Sequence, residues 1–225
     1  MYHYLDDKVF LHAMRAFSGE IMQSLCHFLK EDYGIGSNFY LVGSGAKNLI
    51  LQNAKKPVDL DYNLEIVRCD DFEDCRYLKE CTKESFNKAL KSYDLHECED
   101  SKSALTSKPI YFVRGNHTEF SIDVCVTVRD EKDNYFRLIH EKTGWINKDR
   151  YYWNIVPYPK RLKIKVDYIK DCGKWELVRQ QYLQIKNRYL TQNVTNHPSF
   201  VCYVESINNV YNSITQDVIG RQKGR

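Results

Sequence analysis

The sequence predicts an α/β (α+β) fold, with a mixed sheet flanked by helices and a helical C-terminal region. Three observations carry this. Residues 7–32 place Phe10, Ala13, Phe17, Ile21, Leu25 and Leu29 at helical intervals. Residues 58–67 and 119–128 are apolar, β-prone runs interrupted at two-residue intervals by polar side chains. From residue 160 onward helical spacing takes over, with Trp175, Val178, Tyr182, Ile185 and Tyr189 on one stripe.

The first helix is expected to end at Gly34 and Gly36, since glycine accepts the left-handed conformation past a helix C-terminus. Phe39 to Val42 reads as a short buried strand, Gly43-Ser44-Gly45 as a turn, and Ala46 to Gln52 as a helix. After Pro57, Val58 to Val67 forms a strand with Asp59, Asp61 and Asn63 on one face. A helix over 71–92 follows, then strands near 95–99, 109–114 and 119–128. Pro157 and Pro159 punctuate a loop. Residues 160–171 and 174–191 are helical, and Pro198 opens a last helix over 198–216. The domain boundary is expected at 140, between a catalytic part over 1–140 and a helical accessory region over 141–225.

The 225 residues carry a net charge of only +3. Its distribution is uneven. Residues 1–136 hold 17 Lys/Arg against 23 Asp/Glu, and residues 137–225 hold 16 against 7. An acidic first part suits a metal site, and a basic second part suits phosphates; ordinary solubility charge accounts for the same letters. No stretch reaches the roughly 18 apolar residues of a membrane span, so no membrane partner is expected. The start lacks the basic and apolar regions of a secretory signal. The eight cysteines are therefore expected as reduced thiols in the cytoplasm. Cys69, Cys75, Cys81 and Cys98 cluster with His96, but without the C-x-x-C spacing of a zinc site.

The chemistry centres on residues 43–61. Gly43 and Gly45 let the backbone approach an anion closely, Ser44 offers a hydroxyl, and Lys47 places a positive charge one turn into the helix. The G-x-x-x-x-G-K-[ST] spacing of a P-loop is missing. Asp59 and Asp61, two apart on a strand, point the same way and repel each other. Asp123 lies between Ile122 and Val124, where a lone aspartate is unexpected. If its strand lies beside the first, three carboxylates converge. Such a set suits Mg²⁺, which takes oxygen ligands at about 2.0–2.1 Å.

Gly43-Ser44, then Asp59-Leu60-Asp61, then Asp123 resembles the active-site pattern of the DNA polymerase β-like nucleotidyltransferase superfamily. The resemblance spans roughly residues 20–130 and names no subfamily. It implies a mixed-sheet nucleotidyltransferase-type core and transfer of a nucleoside monophosphate from a nucleoside triphosphate (NTP), such as ATP, to a hydroxyl, with release of pyrophosphate. It also implies that Gly43, Ser44 and Lys47 hold the NTP. Asp59, Asp61 and Asp123 would be both the catalytic residues and the ligands of Mg²⁺ or Mn²⁺, with Asp123 also able to take a proton. The acceptor stays open among a small hydroxylated molecule, an RNA end and a protein side chain. The competing reading is an inactive nucleotide-sensing or partner-binding module, such as a toxin–antitoxin component.

Other polar residues keep two readings each. Arg137, His140 and Lys142 either contact the triphosphate or cap a helix. Asp100 to Thr106 is either a cleft border or a plain turn. Lys160, Arg161, Lys163 and Lys165, close after Tyr151, Tyr152 and Trp153, either bind a base with its phosphates or are helix surface beside packed aromatics.

Overall fold

A computed structural model describes residues 1–156, 160–192 and 198–223. In chain order the elements are β1 (Tyr2–Tyr4), α1 (Lys8–Tyr33), β2 (Gly36–Leu41), α2 (Gly43–Lys47), β3 (Leu51–Asn53), β4 (Val58–Arg68) and α3 (Cys75–Lys91). They continue as β5 (Glu99–Asp100), β6 (Leu105–Thr106), β7 (Phe120–Arg129), β8 (Tyr135–Glu141), β9 (Arg150–Val156), α4 (Lys160–Asp171), α5 (Trp175–Thr191) and α6 (Ser199–Lys223).

The chain divides into two compact units. One holds Leu5–Asn48 and Lys55–Tyr158 and is built on a seven-stranded mixed sheet. Its centre is the parallel pair β4 and β7, joined through α3. The strands β2, β6 and β8 add to this pair antiparallel, and β9 adds to β8. Along β4, Val58, Leu60, Tyr62 and Leu64 are buried, while Asp59, Asp61 and Asn63 occupy the alternate positions. Along β7 the buried set is Phe120, Ile122, Val124 and Val126. Helices α1 and α3 pack against each other, burying Met14, Ile21, Leu25, Leu78 and Phe86. The Asp7 carboxylate caps α1 by accepting from Phe10 N at 3.0 Å, and Asp74 caps α3 through Tyr77 N at 2.9 Å. At Gly34 α1 stops in the left-handed conformation, as its sequence predicts.

The second unit holds Met1–Tyr4, Leu49–Ala54 and Pro159–Arg225. Its core joins Leu49 to Ile169, Val178, Tyr182, Ile185, Cys202 and Ile207. The ribbon of β1 and β3 belongs here, with Tyr2 N donating to Asn187 Oδ1 at 2.7 Å. Among the described residues no helix is long and apolar enough to cross a membrane.

The structure departs from the sequence reading in several places, and of the strand expected near 95–99 only Glu99 is in one, the two-residue β5. The helix expected over Ala46–Gln52 is instead the five-residue α2, which ends where Asn48 takes a left-handed φ of 56°. Leu49, Ile50 and Leu51 leave it, and Leu51 starts β3. Residues 109–114 form no strand, only a bridge between Ile110 and Phe120, since Pro109 has no N–H to donate. The hairpin β8–β9 is unanticipated. Its seven paired positions keep residues 141–156 with the sheet, so the units part near residue 158, not at 140. Finally, α6 runs beyond residue 216. The loop prolines Pro157 and Pro159 lie outside the described residues.

Candidate active site

Strand register assembles the site. Asp61 pairs with Asp123 across the parallel β4–β7 ladder, and Asp59 pairs with Ser121. In-register residues on parallel strands point to the same face, with backbones about 4.8 Å apart. The three carboxylates named from sequence therefore share one face of two neighbouring strands.

Each has a distinct environment. Asp59 is exposed, and its Oδ1 accepts from Ser121 Oγ at 2.7 Å. Asp61 is half-buried. Burial, then the Asp59 charge, pushes its carboxyl up, while Lys47 and Arg137 pull it down. Asp123 is raised to about 6, mainly by burial, with a hydrogen bond from Thr106 opposing and the charges of Asp59 and Asp61 adding. Thr106 reaches it because β6 pairs Thr106 with Asp123. The buried Asp123 Oδ1 has no hydrogen-bond partner among the described residues.

The glycine turn lies alongside. Val42 N donates to Asp61 O at 2.8 Å, tying the start of α2 to the acid strand. Gly43 has a φ of 61°, and a β-carbon there would overlap Asp61 Oδ2. At Gly45 a β-carbon would come within 3.0 Å of Leu60 Cδ2 and 3.1 Å of Leu41 Cδ1, so this glycine seats α2 on the sheet. Ser44 is half-buried in the first turn, and Lys47 Nζ donates to Gly43 O at 2.9 Å. The structure thus brings Gly43, Ser44 and Lys47 beside Asp61. With only five residues, α2 has little dipole, and the groups it offers to an anion are the turn amides and Lys47.

As the side chains stand, no three His, Cys, Asp or Glu among the described residues are placed to enclose a metal ion. The donor set nevertheless fits a hard divalent cation. Its members are carboxylates, the charge of Asp59 raises Asp61 and those of Asp59 and Asp61 raise Asp123, and a buried oxygen of Asp123 lacks a partner among the described residues. The cysteines are free thiols.

Several residues acquire roles that sequence alone did not separate. Ser121 and Thr106 hydrogen-bond to the acids and carry no local signal of it. Arg137 lies on β8, opposite Thr127, close enough for its charge to act on Asp61. His140 is buried on β8, with Nδ1 2.8 Å from Asp100 Oδ2 and Nε2 3.0 Å from Asp149 Oδ2. Its ring stacks on Tyr151 at 4.2 Å. Lys142 Nζ donates to Asp100 O at 2.6 Å. Neither His140 nor Lys142 caps a helix. The Ser101 hydroxyl and N–H close a turn on Ala104 O, so residues 101–104 are a plain hairpin turn. Lys163 pairs with Asp167 and Lys165 with Asn208 along the helical unit.

No known protein family's description matches the chain. No curated protein matches it either. Solved structures do. The chain is similar to CdnC of E. coli MS115-1 with ATP, at 16% identity and a TM-score of 0.56, over 90% of this chain and 61% of that one. It is similar to the CD-NTase CdnG of Bradyrhizobium diazoefficiens with GTP, at 14% identity and a TM-score of 0.53, over 87% of this chain and 65% of that one. The Vibrio cholerae DncV cyclic AMP-GMP synthase with the linear intermediate 5' pppA(3',5')pG aligns at 15% identity and a TM-score of 0.54, over 78% of this chain and 47% of that one. The chain spans about three fifths of the length of the first of these. The likeness shows the fold, that of nucleotidyltransferases.

Proposed function

We propose that this chain, with its nucleotidyltransferase fold, transfers a nucleoside monophosphate from an NTP to a hydroxyl and releases pyrophosphate. One observation carries the reading: Asp61 and Asp123 stand in register beside a turn whose Gly43 leaves room for no side chain. Carboxylates facing a close-approach glycine turn are what a metal-bound triphosphate requires.

The turn at Gly43 and Ser44 would cradle the phosphates, with Lys47 adding charge. Asp59, Asp61 and Asp123 would hold Mg²⁺ or Mn²⁺, with a rotamer change freeing Asp59 from Ser121. A bound divalent ion supplies neutralisation of the charge on the reacting phosphate and on the leaving pyrophosphate. The remaining work falls to the chain. The acceptor oxygen forms a bond to the α-phosphorus, the bond to the pyrophosphate oxygen breaks, and the hydroxyl proton leaves to Asp123 or to water. With no ion bound, burial raises the Asp123 carboxyl to about 6, so at neutral pH it is mostly ionised and open to a cation or a proton. Positioning and preorganised charge contribute most of the acceleration in such transfers.

In this reading the sheet unit is catalytic, the helical unit is accessory, and the free thiols suit a cytoplasmic setting. The acceptor is proposed to be a ribose hydroxyl of a second nucleotide or of an RNA end. The linear intermediate bound by DncV supports the first. The test is pyrophosphate release from each NTP with Mg²⁺, alongside transfer of labelled NTP into a cell extract. Asp61-dependent release supports the proposal. Binding of NTP without release, across all acceptors, overturns it in favour of a sensing module.

A further inference from the structure

A cavity of about 460 Å³ opens where the last turns of α1 meet the start of β2 and the end of β4. Small-molecule sites run from roughly 300 to 1,000 Å³. Arg68 in its lining lies seven residues past Asp61 on β4, roughly 23 Å at the rise of a strand, so the cavity is separate from the candidate active site.

An irregularity in the sheet builds it. Gly36 pairs with Arg68 and Ser37 with Ile66, so Val67 is an extra residue with no partner on β2. Consecutive strand residues ordinarily face opposite sides. The bulge lets Val67 and Arg68 line one cavity, together with Gly36 and Ser37. A β-carbon at Gly36 would stand 3.2 Å from Arg68 Cβ and 3.7 Å from its Nε, so the glycine leaves the guanidinium its place.

The lining carries one sign of charge. Lys30 and His27 come from α1 and Arg68 from β4, and no carboxylate joins them. Among the described residues no hydrogen bond or ion pair engages the side chain of Lys30 or of Arg68. The carbonyls of Leu29 and Lys30, which would repel an anion at the helix end, are capped by the N–H groups of Ile35 and Gly34. In the wall, Ser37 Oγ is buried beside the Cys26 thiol, a weak hydrogen-bonding group, and is left unsatisfied. Val67, 51% exposed, adds apolar surface. Cations without partners, an unspent hydroxyl and an apolar side chain, with no acid among them, suit an anion that carries an apolar body.

We propose that this cavity binds a small organic anion. Lys30 and Arg68 hold its carboxylate or phosphate group, Ser37 donates to the same group after a change of rotamer, and Val67 packs on its apolar part. The site uses neither the three acids nor the glycine turn, so it stands apart from the transferase reading.

The test uses the full chain and three probes of similar shape: phenyl phosphate, benzoate and the neutral benzyl alcohol. Alkylation of Cys26 by iodoacetamide, read by peptide mapping, reports on the cavity, and the exposed Cys172 is the control. At ten times its Kd a bound anion should slow Cys26 labelling about tenfold and leave Cys172 unchanged. Protection by phenyl phosphate alone assigns a phosphate ester, and protection by benzoate a carboxylate; either supports the proposal. Lys30→Met combined with Arg68→Met should abolish the protection, and both side chains are exposed, so the fold should survive. Ser37→Ala should weaken binding about two- to tenfold. Asp61→Asn should keep full protection; its loss would tie the anion to the candidate active site and overturn the proposal. Equal protection by benzyl alcohol overturns it, as does protection that survives the double substitution. So does an absence of protection by both anions up to about 10 mM.

Discussion

Gly43 and Asp61 touch so closely that the site has no room for a β-carbon between them. Gly43 also has a φ of 61°, which costs an L-residue about 1–2 kcal/mol. Gly43→Ala should therefore displace the Asp61 carboxylate and lower turnover at least about a hundredfold. Gly115 provides the control. It has a φ of 84° but nothing within 4 Å of a β-carbon, so Gly115→Ala carries backbone strain alone. Steady-state kinetics and thermal melts of the two variants separate the effects: both should melt earlier, and only Gly43→Ala should lose activity.

Asp61→Asn removes a charge and keeps the shape. Turnover should fall by about a thousandfold or more, the scale on which electrostatic groups act at transfer sites. Circular dichroism should stay unchanged. A variant with a tenth of wild-type pyrophosphate release would remove Asp61 from the proposed centre.

The raised carboxyl of Asp123 makes metal-free stability depend on pH with a definite sign. Its value of about 6 lies above the ordinary carboxyl value, so the folded state binds this proton more tightly than the unfolded state. The contribution is fully present below the unfolded value and is lost as pH rises through about 6. The melting temperature of the metal-free protein, measured from pH 4 to pH 8, should decline relative to Asp123→Asn over that window. Added Mg²⁺ should recover it above pH 6 in the wild type only, because the ion competes with the proton for the carboxylate. Equal slopes for the two proteins would contradict this.

The buried His140 joins β5 to the β8–β9 hairpin through two half-buried carboxylates, Asp100 and Asp149. Lys79, 2% exposed, stands 3.2 Å from Asp100 Oδ1 on the far side of the same cluster. Replacing His140 with Ala leaves Asp100 without its ring partner, and a hydrogen bond to a charged group contributes about 1.5–3 kcal/mol. Urea unfolding of His140→Ala should show a loss of that order. His140→Gln, which can still donate to one carboxylate, should lose less.

Much of the site was legible because it lies on strands whose apolar runs advertise them. An aspartate between Ile122 and Val124 conflicts with its surroundings, and such conflicts mark function. Asp59 and Asp61 were readable through the two-residue period alone. The resemblance to the polymerase β-like enzymes rests on these acids and the glycine turn, and the nucleotidyltransferase fold agrees with it. What escaped depends on distant partners. Tyr135 to Glu141 and Arg150 to Val156 become strands by pairing with each other, and neither announces its partner. The contacts of Thr106 and Ser121 follow from register between strands. Leu49 to Leu51 continue the apolar pattern of α2, yet Leu49 is buried in the other unit, so tertiary packing overrode the local helical period.

That excursion has a consequence for anyone dissecting the protein. The polypeptide passes between its two units after residues 4, 48, 54 and 158, so they are interlaced along the covalent chain. Trimming the tail at residue 158 would strand the β1–β3 ribbon and bare Leu49, a sticky remnant that falls in the sequence between the glycine turn and the acid strand. Neither half is a cassette to be grafted elsewhere intact.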